Sequence, residues 1–218
     1  RGSKITGTTK AFDFINNCLY EIQKVTVLNN ATRDTGVLYP ITEEDRNPAT
    51  IDLTAIKMVT TRSKMGPSGL AIEMIVSQRE GCLPHLSQFH YVKEMGMFGI
   101  SGNNTSYNLD VYPEIKIGRT TVRGKIDSDP KLCRALEITS QLCQMKNMWA
   151  PLKSDLMCTP LELYTDLKAL GYDWDMLLST TRDWWTYAEN EMNTELDFLS
   201  TMDLLRMRKE LYKPYWLK

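Results

Sequence analysis

The sequence carries almost no net charge, with 26 Lys and Arg residues against 27 Asp and Glu residues. This balance gives no overall electrostatic reason to expect nucleic acid or an anionic membrane as a partner, so any such site must be a local patch. No apolar run is long enough to cross a bilayer, and the first residues lack the basic-then-apolar pattern of a signal peptide. We therefore expect an intracellular protein, in the cytoplasm or nucleus, with no membrane partner.

Paired cysteines are also lacking. The five cysteines are odd in number, widely spread and without any C-x-x-C pair, a pattern typical of reduced thiols in an intracellular compartment. The sequence contains no complete catalytic or cofactor motif, so no cofactor is identified. It likewise shows no internal repeat and no low-complexity tract.

What is present is enough apolar sequence for a substantial core, since 42% of the 218 residues are hydrophobic. Composition changes near Ile126, which separates a mixed, strand-rich part (residues 1–126) from a helical part (residues 127–218). The two parts can also form one continuous domain. The predicted fold class is α+β, with the strand-rich part followed by an all-helical C-terminal part.

The first part shows both helical and alternating patterns. Phe12, Ile15, Leu19 and Ile22 recur at helical spacing and predict an amphipathic helix over Lys10–Lys24, with a strand after it from Val25. Alternation predicts two strands, one beginning at Ile51 and one at Leu70, although helix remains an alternative for the second. Ile115 and Ile117 alternate with charged residues, and the β-type composition of 120–122 extends this pattern into a hairpin bent near Gly118.

The helical part carries clear start signals. Asp129-Pro130 predicts a helix start, and Thr159 with Glu162 forms a capping box around Pro160, with Gly171 as the expected end. A further helix is predicted from Asp183 to Pro214. Its stripe of Trp, Met and Leu residues, which includes Leu199, is expected to pack inward, with a partner-binding groove as the alternative. Its acidic residues, Asp203 among them, are expected on a solvated face.

Three residues could hold a metal ion. Both histidines of the chain, His85 and His90, lie within nine residues of Cys82, and Cys and His are ordinary Zn²⁺ ligands. A closed zinc site needs four ligands at recurrent spacings, which this segment lacks. Two partly buried histidines in a loop-rich segment are the alternative interpretation.

A second set suggests metal-dependent nuclease or other hydrolase chemistry. Asp110, Glu114 and Lys116 provide two carboxylates and a lysine that could hold Mg²⁺ and position a water molecule. Asp110 is close to Glu114 in sequence, whereas the acid partner of such sites usually comes from a separate strand. A charged strand face explains the same residues.

A third set is basic, and we expect it to bind nucleic acid. Lys116, Arg119, Arg123 and Lys125 lie on the predicted hairpin, with Tyr112 close enough to stack on a base. An edge strand protected by charge is the alternative explanation. The sequence thus predicts a non-catalytic interaction or assembly module of a larger complex, with protein partners and RNA or DNA contact through the basic hairpin. The alternative is the nuclease or hydrolase.

Overall fold

The computed structural model describes residues 18–27, 53–64, 68–103, 106–118, 121–148, 155–179 and 199–214. These residues form antiparallel sheets and six helices, which confirms the mixed α and β composition. The predicted order of strands first and helices afterwards holds only in part. Along the chain, one helix (Pro84–Glu94) follows the last strand of the first sheet and precedes the first strand of the second. The chain divides into two compact units, Arg1–Thr32 with Ile41–Pro84 and Arg33–Pro40 with His85–Lys218. Residue 126, where we placed the boundary, falls inside a helix of the second unit.

The first unit contains a four-stranded antiparallel sheet in the order β1-β2-β3-β4. Its strands are β1 (Cys18–Val27), β2 (Leu53–Ser63), β3 (Ala71–Ser77) and β4 (Gly81–Cys82). β2 and β3 confirm the two strands predicted from alternation. An alternating pattern fits them because successive side chains of a strand point to opposite faces of the sheet.

The helix predicted over Lys10–Lys24 is wrong from Cys18 onward, where the chain forms β1. Residues 10–17 lie outside the described part of the chain. Leu19 and Ile22 have helical spacing, but the strand is set by backbone pairing with β2 along its whole length. β-branched residues at its C-terminal end, such as Val25 and Val27, also favour extended backbone. The strand predicted from Val25 is present through Val27 and begins earlier than expected.

β1 carries a bulge at Gln23. Ile22 pairs with Met58 and Lys24 pairs with Lys57, so Gln23 is an extra residue between two consecutive pairs. A bulge breaks the simple alternation of side chains along a strand. Val25 pairs with Ile56, and it therefore lies on the same face as Ile22 although the two are three residues apart.

The register gives the first sheet one largely apolar face. Directly opposed residues of antiparallel strands share a face, so the pairings of β1 with β2 and of β2 with β3 define its members. We name this set the apolar face: Tyr20, Ile22, Val25, Ile56, Met58, Ile72 and Met74. The opposite face buries Leu53, Ala55 and Ile75 at one end.

The second unit begins with helix α1 (Pro84–Glu94) and a three-stranded antiparallel sheet. The strands are β5 (Ile100–Asn103), β6 (Ser106–Leu109) and β7 (Tyr112–Ile117), in the order β5-β6-β7. β5 and β6 approach so closely that a Cβ atom on Gly102 would lie 2.1 Å from the Ser106 carbonyl oxygen. With its φ of +109°, this position suits glycine alone.

Five further helices follow, named α2 (Val122–Ser128), α3 (Pro130–Met148), α4 (Pro160–Ala169), α5 (Trp174–Ser179) and α6 (Thr201–Arg208). The hairpin predicted to continue past Gly118 is wrong, because Val122 begins α2. Two hydrogen bonds turn the chain here: Gly118 N donates to Thr121 Oγ1 at 3.0 Å, and Val122 N donates to Gly118 O at 2.9 Å. Val122 is also fully buried, so its apolar side chain packs in the core from the first turn of α2.

Helix starts in this unit follow local side-chain chemistry. Asp129 Oδ1 accepts hydrogen bonds from Lys131 N at 2.9 Å and Leu132 N at 3.2 Å, which confirms the start predicted for α3. The capping box predicted at Thr159 and Glu162 is present at the start of α4. Gly171 follows α4 with a φ of +87°, the left-handed conformation expected after a helix.

The last predicted helix is corrected within its described part. Residues 180–198 lie outside the described residues. Ser200 has extended backbone and forms a capping box with Asp203, so a helix begins at Thr201 and does not run through this point. Asp203 is buried and accepts hydrogen bonds from Ser200, which overturns the prediction that it lies on a solvated face.

The core of the second unit forms around α3, which contributes a row of fully buried apolar side chains: Leu132, Ala135, Leu136, Ile138, Leu142 and Met145. Leu199 and Leu205 are buried too, as predicted for the C-terminal stripe. Trp174 Nε1 donates to Val111 O at 2.6 Å, which connects α5 to the turn between β6 and β7. None of the helices in the described ranges is both long and apolar enough for a transmembrane span.

Candidate functional site

The basic set is divided by the fold. Lys116 lies on the exposed side of β7, and Lys125 lies in α2 with its Nζ donating a hydrogen bond to Lys116 O. The Lys125 ammonium group therefore lies against the backbone of Lys116. Arg123 is buried at 8% exposure, and Arg119 lies outside the described residues. Arg123 and Lys125 lie in α2 and not on a strand, and the nucleic-acid role of the set remains a prediction.

Tyr112 does not present a free hydroxyl beside these lysines. Its OH donates to Asp129 Oδ2 at 3.3 Å. Burial raises the pKa of the Tyr112 hydroxyl, and the Asp129 carboxylate raises that pKa further. The ring is half-buried, so Tyr112 contributes to the packing near the start of α3. Its stacking role on a base remains a prediction.

The three residues of the nuclease hypothesis lie on one hairpin. Glu114 and Lys116 are exposed and two residues apart on β7, hence on the same face of that strand. Asp110 lies in the turn between β6 and β7, where burial raises the pKa of its carboxyl group. Both carboxylates thus come from adjoining segments of one hairpin. The nuclease or hydrolase hypothesis remains a prediction.

The residues of the metal hypothesis belong to different units. Cys82 is exposed in β4 of the first unit, whereas His85 and His90 lie in α1 of the second. His85 Nε2 is 3.0 Å from Glu137 Oε1, and His90 is buried. Among the residues that the structure describes, no three His, Cys, Asp or Glu side chains are grouped so as to hold a metal ion. The five cysteines, all in described segments, are free thiols.

A polar cluster that the sequence did not reveal joins α1 to α3. Glu137 lies between His85 and Arg134, whose Nη1 is 3.2 Å from Glu137 Oε2. The Arg134 side chain is fully buried, and its Nη2 donates to Leu199 O at 3.0 Å. The Arg134 and Glu137 spacing along a helix was visible in the sequence, but the contact with His85 spans 52 residues and had no local signal.

The electrostatics of this cluster favour an ionised Glu137. Burial raises the pKa of its carboxyl group, but the hydrogen bond from His85 and the charge of Arg134 together hold the pKa below its usual value. Cys133, one turn earlier on α3, has a thiol pKa raised by burial and then by the carboxylates of Glu137 and Asp129. A thiol with a raised pKa stays protonated at neutral pH and is a poor nucleophile. The contacts of Glu137 with His85 and Arg134 therefore connect α1 to α3.

A different surface stands out in the first unit. Tyr20, Ile22 and Val25 of β1 belong to the apolar face and are 57%, 61% and 60% exposed. The remaining members of the apolar face, on β2 and β3, are half-buried. Contiguous exposed apolar surface is uncommon on a monomeric protein and typically marks an interaction site. Sequence reasoning missed this surface because it assigned Leu19 and Ile22 to the inner side of a helix.

No protein-family profile matches the chain, and no curated protein or solved structure is significantly similar to it.

Proposed function

We propose that the chain is a non-catalytic interaction or assembly module of a larger complex, and that it binds a protein partner through the apolar face. The observation that carries this proposal is the exposure of Tyr20, Ile22 and Val25, each more than half exposed to solvent. Burying apolar surface of this kind against a partner releases about 25 cal/mol for each Å² removed from water. The polar cluster of His85, Arg134 and Glu137 in the second unit holds α1 against α3.

Site-specific photo-crosslinking tests this function. A photoreactive residue at position 22 should join the chain to one protein in saturable yield, whereas the same residue at Glu80, exposed in the turn before β4, should not. The protein so identified should bind the purified chain directly. Because apolar anchors dominate interface energetics, Ile22→Lys should weaken that binding about tenfold or more.

The control for this experiment is Glu80→Lys, which also introduces a lysine into the first unit but in the turn between β3 and β4, at a residue that is not a member of the apolar face. It should bind as tightly as the wild type. Absence of a specific crosslink at position 22, or binding that is indifferent to Ile22→Lys, would refute the proposed function.

Local nucleic-acid contact is the second candidate function, and the placement of the Lys125 ammonium group at the backbone of the exposed Lys116 favours it. Both cations are outside the core, on elements that meet where β7 ends and α2 begins. A nucleic-acid backbone crossing this point would contact two lysines directly. Arg123 is buried, so it is not a suitable residue with which to test phosphate contact.

Lys116→Glu combined with Lys125→Glu should abolish binding of single-stranded nucleic acid without loss of fold. In the wild type, the affinity should fall as the salt concentration rises. Each of the two phosphate contacts should contribute about −0.7 to the slope of log affinity against log salt. Fluorescence anisotropy over a salt series measures both quantities. Lys64→Glu with Lys93→Glu is a control with the same change in charge. Equal binding by the wild type and the Lys116 and Lys125 variant would exclude a nucleic-acid role for this pair.

A further inference from the structure

β1 is an edge strand within the described part of the chain. It pairs with β2 on one side, and no described strand lies on its other side. An edge strand presents backbone N–H and C=O groups that can pair with another chain. Proline commonly blocks such an edge, but β1 has none over its 10 residues, CLYEIQKVTV. The exposed apolar side chains of Tyr20, Ile22 and Val25 lie on one face of this strand.

The order of residues along β1 is complementary to itself in the antiparallel direction. If Tyr20 of one copy lies opposite Val25 of a second copy, then Glu21 lies opposite Lys24. Two-fold symmetry repeats both contacts, as in every isologous interface. Opposite charges and apolar pairs facing each other across two strands both stabilise the pairing. The register thus gives two ion pairs and two apolar pairs around a centre between Ile22 and Gln23.

The bulge at Gln23 makes this register possible. Side chains that oppose each other across antiparallel strands must lie on the same face of the sheet. Residues five apart in a regular strand lie on opposite faces, but the bulge puts Tyr20 and Val25 on one face, since they pair with Thr60 and Ile56. Registers centred on Glu21 or on Lys24 would place like charges opposite each other, which destabilises them.

We propose that two copies of this chain associate by antiparallel pairing of their β1 strands, with Glu21 of each copy opposite Lys24 of the other. The pairing joins two four-stranded sheets into one continuous sheet and extends the apolar face across both copies. This inference goes beyond the proposed function, because the edge of β1 binds the second copy and the apolar face of both copies remains open to the protein partner. The charge pattern of β1 selects a second copy over an extended peptide of unrelated sequence.

Charge reversal tests the pairing on the full chain by sedimentation velocity. The wild type should be a dimer, whereas Glu21→Lys alone and Lys24→Glu alone each set like charges opposite each other at two places. Each single variant should raise the dimer dissociation constant about tenfold or more. The double variant E21K/K24E exchanges the charges and should dimerise as the wild type does. E80K, which reverses a charge outside β1, should also remain dimeric.

Mixing the two single variants gives the sharpest result. In a mixed pair the E21K copy presents two lysines to the two glutamates of the K24E copy, so a heterodimer should form from two proteins that are monomers on their own. Circular dichroism of each variant confirms its fold, and the mixture itself shows whether both remain competent to pair.

Three outcomes would overturn the inference: a monomeric wild type, single variants that dimerise as tightly as the wild type, or a double variant that stays dissociated. A monomer that still crosslinks from position 22 to a different protein would refute the β1 pairing and leave the proposed function intact. A dimer that persists after all charge reversals but is lost in Ile22→Lys would place the contact on the apolar face and not at the edge, and it too would refute the pairing.

Discussion

Arg134→Ala should lower the free energy of unfolding by about 3 kcal/mol, the lower end of the range for removing one partner of a buried ion pair, because Arg134 is fully buried but its partner Glu137 is 27% exposed. The Arg134 side chain is fully buried, contacts Glu137 at 3.2 Å and donates to Leu199 O at 3.0 Å. Truncation leaves a cavity and deprives a buried carbonyl oxygen of its donor. Urea denaturation followed by circular dichroism measures the change.

Lys131→Ala is the matched control for this prediction, since Lys131 is also a cation on α3, three residues earlier. Its Nζ is 2.9 Å from Asp175 Oδ1, but the side chains of Lys131 and Asp175 are 35% and 66% exposed. Water screens such a pair, so its loss should barely move the unfolding midpoint. If the Arg134 and Lys131 variants were equally stable, the buried cluster would not have the stabilising role inferred for it.

Leu199→Ala should cost about 2–5 kcal/mol of unfolding free energy, because its side chain is fully buried and its removal leaves a cavity. The same residue supplies the carbonyl oxygen that Arg134 binds, and it directly precedes the Ser200 cap of α6. The side chain and the backbone of Leu199 thus act in the same part of the core. Denaturant unfolding again gives the measurement.

Leu161→Ala provides the comparison for Leu199→Ala, because Leu161 lies in α4 and is 52% exposed. The same truncation there removes little buried surface and should leave the unfolding midpoint nearly unchanged. An unchanged midpoint for Leu199→Ala would contradict the inward packing of the C-terminal stripe.

Elements with local chemical signals could be predicted from the sequence. Thr159 and Glu162 form their capping box through contacts within three residues, so no knowledge of the remaining chain is needed. The same holds for Asp129 at the start of α3. The alternation in β2 and β3 is local too, because it follows from the two-residue period of a strand.

Elements decided by distant partners could not be predicted in this way. β1 pairs with β2 across the 25 residues 28–52, and that pairing outweighs the helical spacing of Leu19 and Ile22. α2 has β-type composition at its start but is helical where Val122 enters the core. Long-range strand pairing overrides local spacing in β1, and burial in the core overrides local composition in α2.

The same limit applies to the candidate sites. Charge alone placed Arg123 on a binding face, although the residue is buried. Charge alone likewise gave no reason to connect His85 with Glu137, which lie 52 residues apart. The exposed side chains of β1 became recognisable as a surface only when the register with β2 was known.

The bulge in β1 makes Gln23 the one residue of this strand that its register with β2 does not include. Deleting Gln23 would leave Ile22, Lys24 and Val25 opposite Met58, Lys57 and Ile56, so Val25 would stay on the same face as Tyr20 and Ile22. Deleting a paired residue without removing Gln23 would instead force a change in the register. Over evolutionary time, β1 should therefore tolerate the loss of Gln23 more readily than the loss of a paired residue.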